Sequence, residues 1–157
     1  MASLIHIRAA RPQDKAELEA LKLRASLAWG DHVEALKALP EARQIPDAHL
    51  ASIFVAELAS DIAGFATVLT RDDGNAELED LFVEPGLWRR GIGSRLIAEA
   101  GERAIALGAR SLHVVGGRRA RGFYEACGFH VVGTAMTLFE PALAMRRDLP
   151  PLTPAAG

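Results

Sequence analysis

The sequence predicts an α/β fold, a mixed sheet of about six or seven strands flanked by about four helices. Three observations carry this. Runs of β-branched and apolar residues alternate with helical repeats in the order β-α-α-β-β-β-α-β-α-β-β. Strands follow strands directly at the middle and end of this order, so the sheet is mixed rather than purely parallel. The 157 residues suit one core in one domain. That domain is expected over residues 1–149, with 150–157 as a tail.

Each element has a local cause. Leu4 to Ala9 alternates apolar and polar, as a half-buried strand does. Pro12 suits the first position of a helix, in which Leu18, Leu21, Ala25 and Ala28 recur at helical spacing up to Trp29-Gly30. A short second helix is expected from about His32 to Leu39, and Pro40 and Pro46 bound the loop after it. Ile53–Leu58 and Ile62–Thr70 read as a hairpin split by Ala59-Ser60-Asp61, with Gly64 marking a bulge. Arg71 to Asn75 is a turn, and Ala76 to Val83 is the next strand. A long helix follows, with an apolar face of Leu96, Ile97, Ala100, Ala104 and Leu107, ended by Gly108. Ser111 to Val115 is a strand, and Gly116-Gly117 leads to a short helix from about Ala120 to Cys127, stopped by Gly128. Phe129 to Met136 and Pro141 to Leu149 close the sheet.

Composition narrows the class. Half of the residues are hydrophobic and 24% are charged, as in a soluble globular protein. A net charge of −2 argues against a broad nucleic-acid surface. No apolar run approaches the roughly 18–20 residues that span a membrane, and the N-terminus carries no signal-peptide pattern. Cys127 stands alone, so no intramolecular disulfide forms, which fits a reducing cytoplasm. Its apolar surroundings suggest packing rather than nucleophilic work. The five histidines are scattered without metal-ligand spacing, so no metal is expected.

The stretch Leu81–Leu96, LFVEPGLWRRGIGSRL, carries the chemistry. A strand runs into a Pro-Gly turn, then two arginines, then Gly91-Ile92-Gly93-Ser94 opening a helix. Unpaired helix-end N–H groups and the positive helix end make an anion site suited to a diphosphate. Two familiar phosphate loops fail here. A dinucleotide loop needs a third glycine where Leu96 stands, and a P-loop with the spacing of Gly86 and Gly91 needs lysine where Ile92 stands. Arg118, Arg119 and Arg121 form another basic cluster, which reads equally as a solvated helix start or as further phosphate contacts.

R-R-G-x-G-S after an L-F-V-x-P strand resembles motif A of the GNAT superfamily of acyl-CoA-dependent N-acetyltransferases. A helix and a strand later, Ala120–Phe129, ARGFYEACGF, resembles the family's motif B, A-x-x-F-Y-x-x-x-G-F. The element order is also that of the GNAT fold. The resemblance covers nearly the whole chain, with specific motifs over about Glu77 to Phe129.

The resemblance implies acetyl-CoA as cofactor and a primary amine of a small molecule or peptide as acceptor, attacked directly in a ternary complex. Many relatives dimerise, so a homodimer stays open. The amides of Arg90, Gly91, Ile92, Gly93 and Ser94, with Arg89, would bind the pyrophosphate. The backbone of Leu81, Phe82 and Val83 would pair with the pantetheine arm and orient the acetyl carbonyl. Tyr124 would stand near the sulfur, and a phenol with pKa near 10 keeps a proton to give a leaving thiolate. Phe123 reads as a core aromatic. The amine must lose a proton before attack, and Glu77, Glu79 and Asp80 are the nearby carboxylates, with Glu79 the residue near which related enzymes often carry a base. Strand alternation puts Glu77, Glu79, Leu81 and Val83 on one face and Leu78, Asp80 and Phe82 on the other.

Trp29 and His32 fall where the family builds one acceptor wall. Trp29 with Asp31 suits a cationic amine, or Trp29 is a core anchor and Asp31 an N-cap. His113 suits buried structural use. Two positions depart from the family. Trp88 replaces its usual Gln or Arg and either packs on the protein or covers the ligand. Gly117 replaces its usual Asn, removing one contact worth about 1 kcal/mol. These departures keep a second reading open, a non-catalytic acyl-CoA-binding sensor.

Overall fold

The structure, a computed structural model, describes residues 4–152; residues 1–3 and the end of the expected tail, 153–157, lie outside the described residues. The strands are β1 (Ile5–Ala9), β2 (Ile53–Leu58), β3 (Asp61–Thr70), β4 (Ala76–Val83), β5 (Ser111–Gly116), β6 (His130–Met136) and β7 (Pro141–Asp148). The α-helices among the described residues are α1 (Lys15–Leu27), α2 (Val33–Ala38), α3 (Ile92–Ala106) and α4 (Arg121–Ala126). The sheet has seven strands in the order β1-β2-β3-β4-β5-β7-β6 and is mixed, because β4 and β5 run parallel. Among the described residues no helix is long and apolar enough to cross a membrane. By their contacts the described residues form two units, 4–67 with 80–96, and 68–79 with 97–152.

In the first unit β1 and β3 both pair antiparallel with β2. Ala59 and Ser60 turn the β2–β3 hairpin with φ of 53° and 72°. Paired positive φ values match the twist of the strands, here without the glycine or asparagine that usually supplies them. The register steps from Ala56↔Gly64 to Glu57↔Ile62, so Ala63 is an extra residue and the bulge expected at Gly64 lies beside it. Gly64 has a second reason to be glycine. A Cβ there would lie 2.8 Å from the Phe82 carbonyl oxygen, so β4 packs closer than any side chain allows.

The core of this unit is Leu18, Leu21, Ile45, Ile53, Val55 and Phe65, with Phe82 packed against it. Leu18, Leu21 and Ala25 of α1 are buried as their spacing predicts, whereas Ala28, the C-cap of α1, is exposed. Pro12 opens a single 3₁₀ turn that runs into α1. The Arg8 guanidinium bridges Asp14 and Glu57 at 2.8 and 3.0 Å and holds the Asp14 carboxyl below the usual carboxylate range. The loop expected between Pro40 and Pro46 contains a 3₁₀ turn at Pro40–Ala42, and another, Asp47–Ser52, leads into β2.

In the second unit β4 and β5 pair at Ala76↔Leu112 and Glu77↔His113. β7 then pairs antiparallel with both β5 and β6. Both helix ends that the sequence marks with glycine close in the same way. Gly108 has φ 85°, with Gly108 N–H donating to Ile105 O and Ala109 N–H to Ala104 O. Gly128 has φ 92°, with Gly128 N–H donating to Glu125 O and Phe129 N–H to Tyr124 O. These are paired bonds to the last carbonyls around a left-handed residue. Ile97, Ala100 and Ala104 of α3 are buried, but Leu107 falls past the last turn and is exposed.

Candidate active site

β4 ends at Val83, where Glu84 N–H donates to Ala63 O at 2.8 Å. Pro85–Leu87 make one 3₁₀ turn, Trp88 is extended, and Arg89 takes φ 66°. Gly91 follows at φ 83°, with nothing within 4 Å of a Cβ built on it, so glycine is needed there for conformation rather than space. α3 begins at Ile92, whose burial pins the first turn, and Arg95 N–H donates to Gly91 O at 3.0 Å. The backbone N–H groups of that first turn, Ile92, Gly93 and Ser94, stand at the positive end of the helix. Arg89, Arg90, Ser94 and Arg95 are exposed beside them, and Trp88–Arg95 contains no carboxylate. This donor set, amides and cations without a competing anion, fits a pyrophosphate.

Trp88 packs on the protein. Its Nε1–H donates to Val83 O at 2.8 Å, and its ring lies 4.9 Å from that of Trp29, tilted by 38°. Trp29 is therefore not the core anchor considered from the sequence; it stays 43% exposed, with its ring tilted against that of Trp88. The N-cap of α2 is His32, with φ 54°, rather than Asp31. Trp29, His32, Leu81–Val83 and Arg89–Ser94 thus all belong to the first unit. Leu81, Phe82 and Val83 are half-buried. The Phe82 ring sits 5.6 Å from Phe65 and packs against the core.

The carboxylates of β4 separate as strand alternation requires. Asp80 is buried and accepts a 2.8 Å bond from the fully buried Thr67 hydroxyl, whereas Glu79 is exposed. Thr67 did not stand out in the sequence; the one polar residue amid an apolar strand was the available signal. Glu79 and Glu77 belong to the second unit. Glu77 accepts from Arg71 Nη1 at 2.9 Å and lies opposite His113, whose Nε2 is 2.9 Å from Ser111 Oγ. Burial raises the Glu77 carboxyl above its ordinary range, while Arg71 pulls it back. Burial also lowers His113, and Arg71 acts in the same direction. Leu69, Thr70, Arg71, Asp72, Asp73 and Glu77 line an open depression of about 570 Å³.

Tyr124 lies on α4 and is buried, whereas Phe123, the aromatic assigned to the core from sequence, is 37% exposed. Successive helical residues point about 100° apart, and the side facing β5 falls to Tyr124. Gly116 makes room for the ring, since a Cβ there would lie 2.9 Å from Tyr124 Cε2. Phe123 and Phe129 meet the ring edge-on at 5.3 and 5.5 Å. Burial, with Cys127 adding to it, pushes the Tyr124 hydroxyl up to about 12. Gly117 is the exposed N-cap of the turn before α4, and Arg118, Arg119 and Arg121 are exposed, with Arg121 paired to Glu125 at 3.3 Å.

The Acetyltransferase (GNAT) family profile matches residues 20–129, and the chain belongs to that family. No protein with a curated description matches the sequence. Among solved structures, a GCN5-related N-acetyltransferase from Rhodopseudomonas palustris superposes with TM-score 0.77 at 24% identity, over 95% of this chain and 98% of that one. A PaiA N-acetyltransferase from Thermoplasma acidophilum, in complex with coenzyme A, gives TM-score 0.74 at 21% identity, over 92% and 99%. N-acetylglutamate synthase from Neisseria gonorrhoeae, complexed with coenzyme A and N-acetyl-glutamate, gives 0.68 at 22% identity, over 95% of this chain and 36% of that chain. The fold is that of the GNAT acetyltransferases.

Proposed function

We propose that this protein is an acetyl-CoA-dependent N-acetyltransferase that acetylates a primary amine of a small molecule or peptide by direct attack, in a single catalytic domain over residues 1–149. The observation that carries the reading is the α3 entrance, where Arg89 and Gly91 at positive φ lead into an amide cluster flanked by exposed arginines. Acetyl-CoA supplies the activated acyl group. In this reading Arg89 to Ser94 hold its pyrophosphate, and the backbone of Leu81–Val83 holds its pantetheine. Tyr124 keeps its proton at neutral pH and donates it to the departing sulfur. Trp29 and His32 contribute to the acceptor wall. The carboxylates along Glu77 to Asp80 support a cationic amine.

Thermal denaturation tests the cofactor. Acetyl-CoA or CoA at about 100 times its dissociation constant adds about 2.7 kcal/mol, which raises Tm by roughly 5–10 °C in a domain of this size. NAD and ATP leave it unchanged. No shift at saturating concentration would overturn the cofactor assignment. The binding-only sensor reading draws on Trp88 and Gly117, and predicts the same shift with no thiol release across an amine panel.

The base is tested by pH. Glu79 is the exposed candidate, and Glu77 is the one whose carboxyl is raised. A base works deprotonated, so the rate rises with pH through its pKa; for Glu77 that limb lies above the ordinary carboxylate range. Changing the true base to Gln removes the limb and about 100-fold of rate. Equal pH profiles for wild type, Glu77→Gln and Glu79→Gln would exclude both.

A further inference from the structure

Resting on that reading, we propose that Arg24 and Trp29 are positioning residues for the cofactor loop. They act through Glu84 and Trp88 rather than by touching the cofactor.

The loop from Glu84 to Gly91 contains two positive-φ residues, and Arg89 reaches that region without being glycine. A non-glycine residue held there is strained and persists when its surroundings fix the chain. Two ties to residues around the end of α1 do the fixing. Arg24 Nε and Nη2 donate to both oxygens of Glu84 at 3.1 and 2.7 Å, a two-pronged clamp at the loop's first residue. Trp29 stacks on Trp88 one residue before Arg89. Trp88 is itself fixed from the other side by its bond to Val83 O. The loop is thus held at its start and just before its strained residue.

An exposed ion pair contributes little to global stability, so the clamp's value lies in geometry. Anion affinity depends on holding the amides of Arg90–Ser94 in place before the ligand arrives. At the position where the resemblance leads one to expect Gln or Arg, Trp88 ties the loop to the segment after α1.

Calorimetric titration of CoA into the full-length protein is the test. Trp29→Ala should weaken CoA binding roughly five- to tenfold and Arg24→Ala about threefold, from the usual worth of an aromatic pair and a surface ion pair. Trp29→Phe should restore affinity to within about twofold, because a ring still stacks. The chain has two tryptophans, so Trp29→Phe leaves Trp88 as the sole reporter, and its emission should change on CoA addition. Wild-type affinity in folded Trp29→Ala and Arg24→Ala overturns the proposal. Should Trp29→Ala not fold, an unresponsive Trp88 in Trp29→Phe, together with unchanged affinity in Arg24→Ala, overturns it as well. Failure of wild-type protein to bind CoA removes the proposed function and this inference together. Binding by wild type and variants alike removes only the inference.

Discussion

Tyr124→Phe is expected to lower turnover about 100-fold while leaving CoA affinity within about twofold, the pattern of a lost proton donor rather than a lost contact. The substitution removes one oxygen from a buried ring that keeps its packing against Phe123, Phe129 and Gly116. Affinity and fold should therefore survive. With its hydroxyl pushed up to about 12, Tyr124 is fully protonated across the working range. Its loss should then lower the rate by the same factor at every pH, unlike loss of the base. Steady-state rates with an amine found in the panel, beside CoA calorimetry, check this. Unchanged turnover would remove Tyr124 from the chemistry.

The largest stability effect is expected at Gly64. An alanine Cβ there would stand 2.8 Å from the Phe82 carbonyl oxygen, 3.2 Å from Leu96 Cδ1 and 3.4 Å from Val83 Cα. Leu96 can adjust; the backbone of β4 cannot without moving the strand. Gly64→Ala should cost about 3 kcal/mol, as overpacking against a fixed neighbour does, and lower Tm by roughly 6–12 °C. Urea denaturation measures it. The displaced segment is the one proposed to take the pantetheine, so CoA affinity should fall in the variant that remains folded. Wild-type stability would show that β4 is free to yield.

What could be read from the sequence follows a physical division. Strands set by runs such as Ile53–Leu58, and helix ends set by Gly108 and Gly128, are local properties, and their boundaries fall within a residue or so of expectation. The strand order is non-local, and no spacing told that β7 lies between β5 and β6. Burial at helix ends was misjudged too: Ala28 and Leu107 continue their helical repeats yet are exposed, since what covers a helix end is a non-local matter. Phe123 and Tyr124 are adjacent aromatics on a helix too short to show a period, and Gly116, at the end of β5, leaves the room that the Tyr124 ring fills. The 3₁₀ turns after Pro40 and Pro46 are too short to leave a period. At the candidate site the glycine loop was visible because φ > 0 demands a residue type. The Trp29–Trp88 stack and the Thr67–Asp80 bond join residues far apart in sequence, by choices many side chains could satisfy.

The place of β7 bears on how the chain acquires its shape during synthesis. β5 finds its antiparallel neighbour not in β6, which is made next, but in β7, made after it. Until β7 is in place, that edge of β5 has no strand to pair with, and β6 itself has none. Closing these ladders needs Pro141–Asp148, whereas β1, β2 and β3 pair among themselves without it. For that interval β5 and β6 are open templates for other chains. A released chain truncated before Pro141 should leave both edges open and aggregate, even though its first strands can pair.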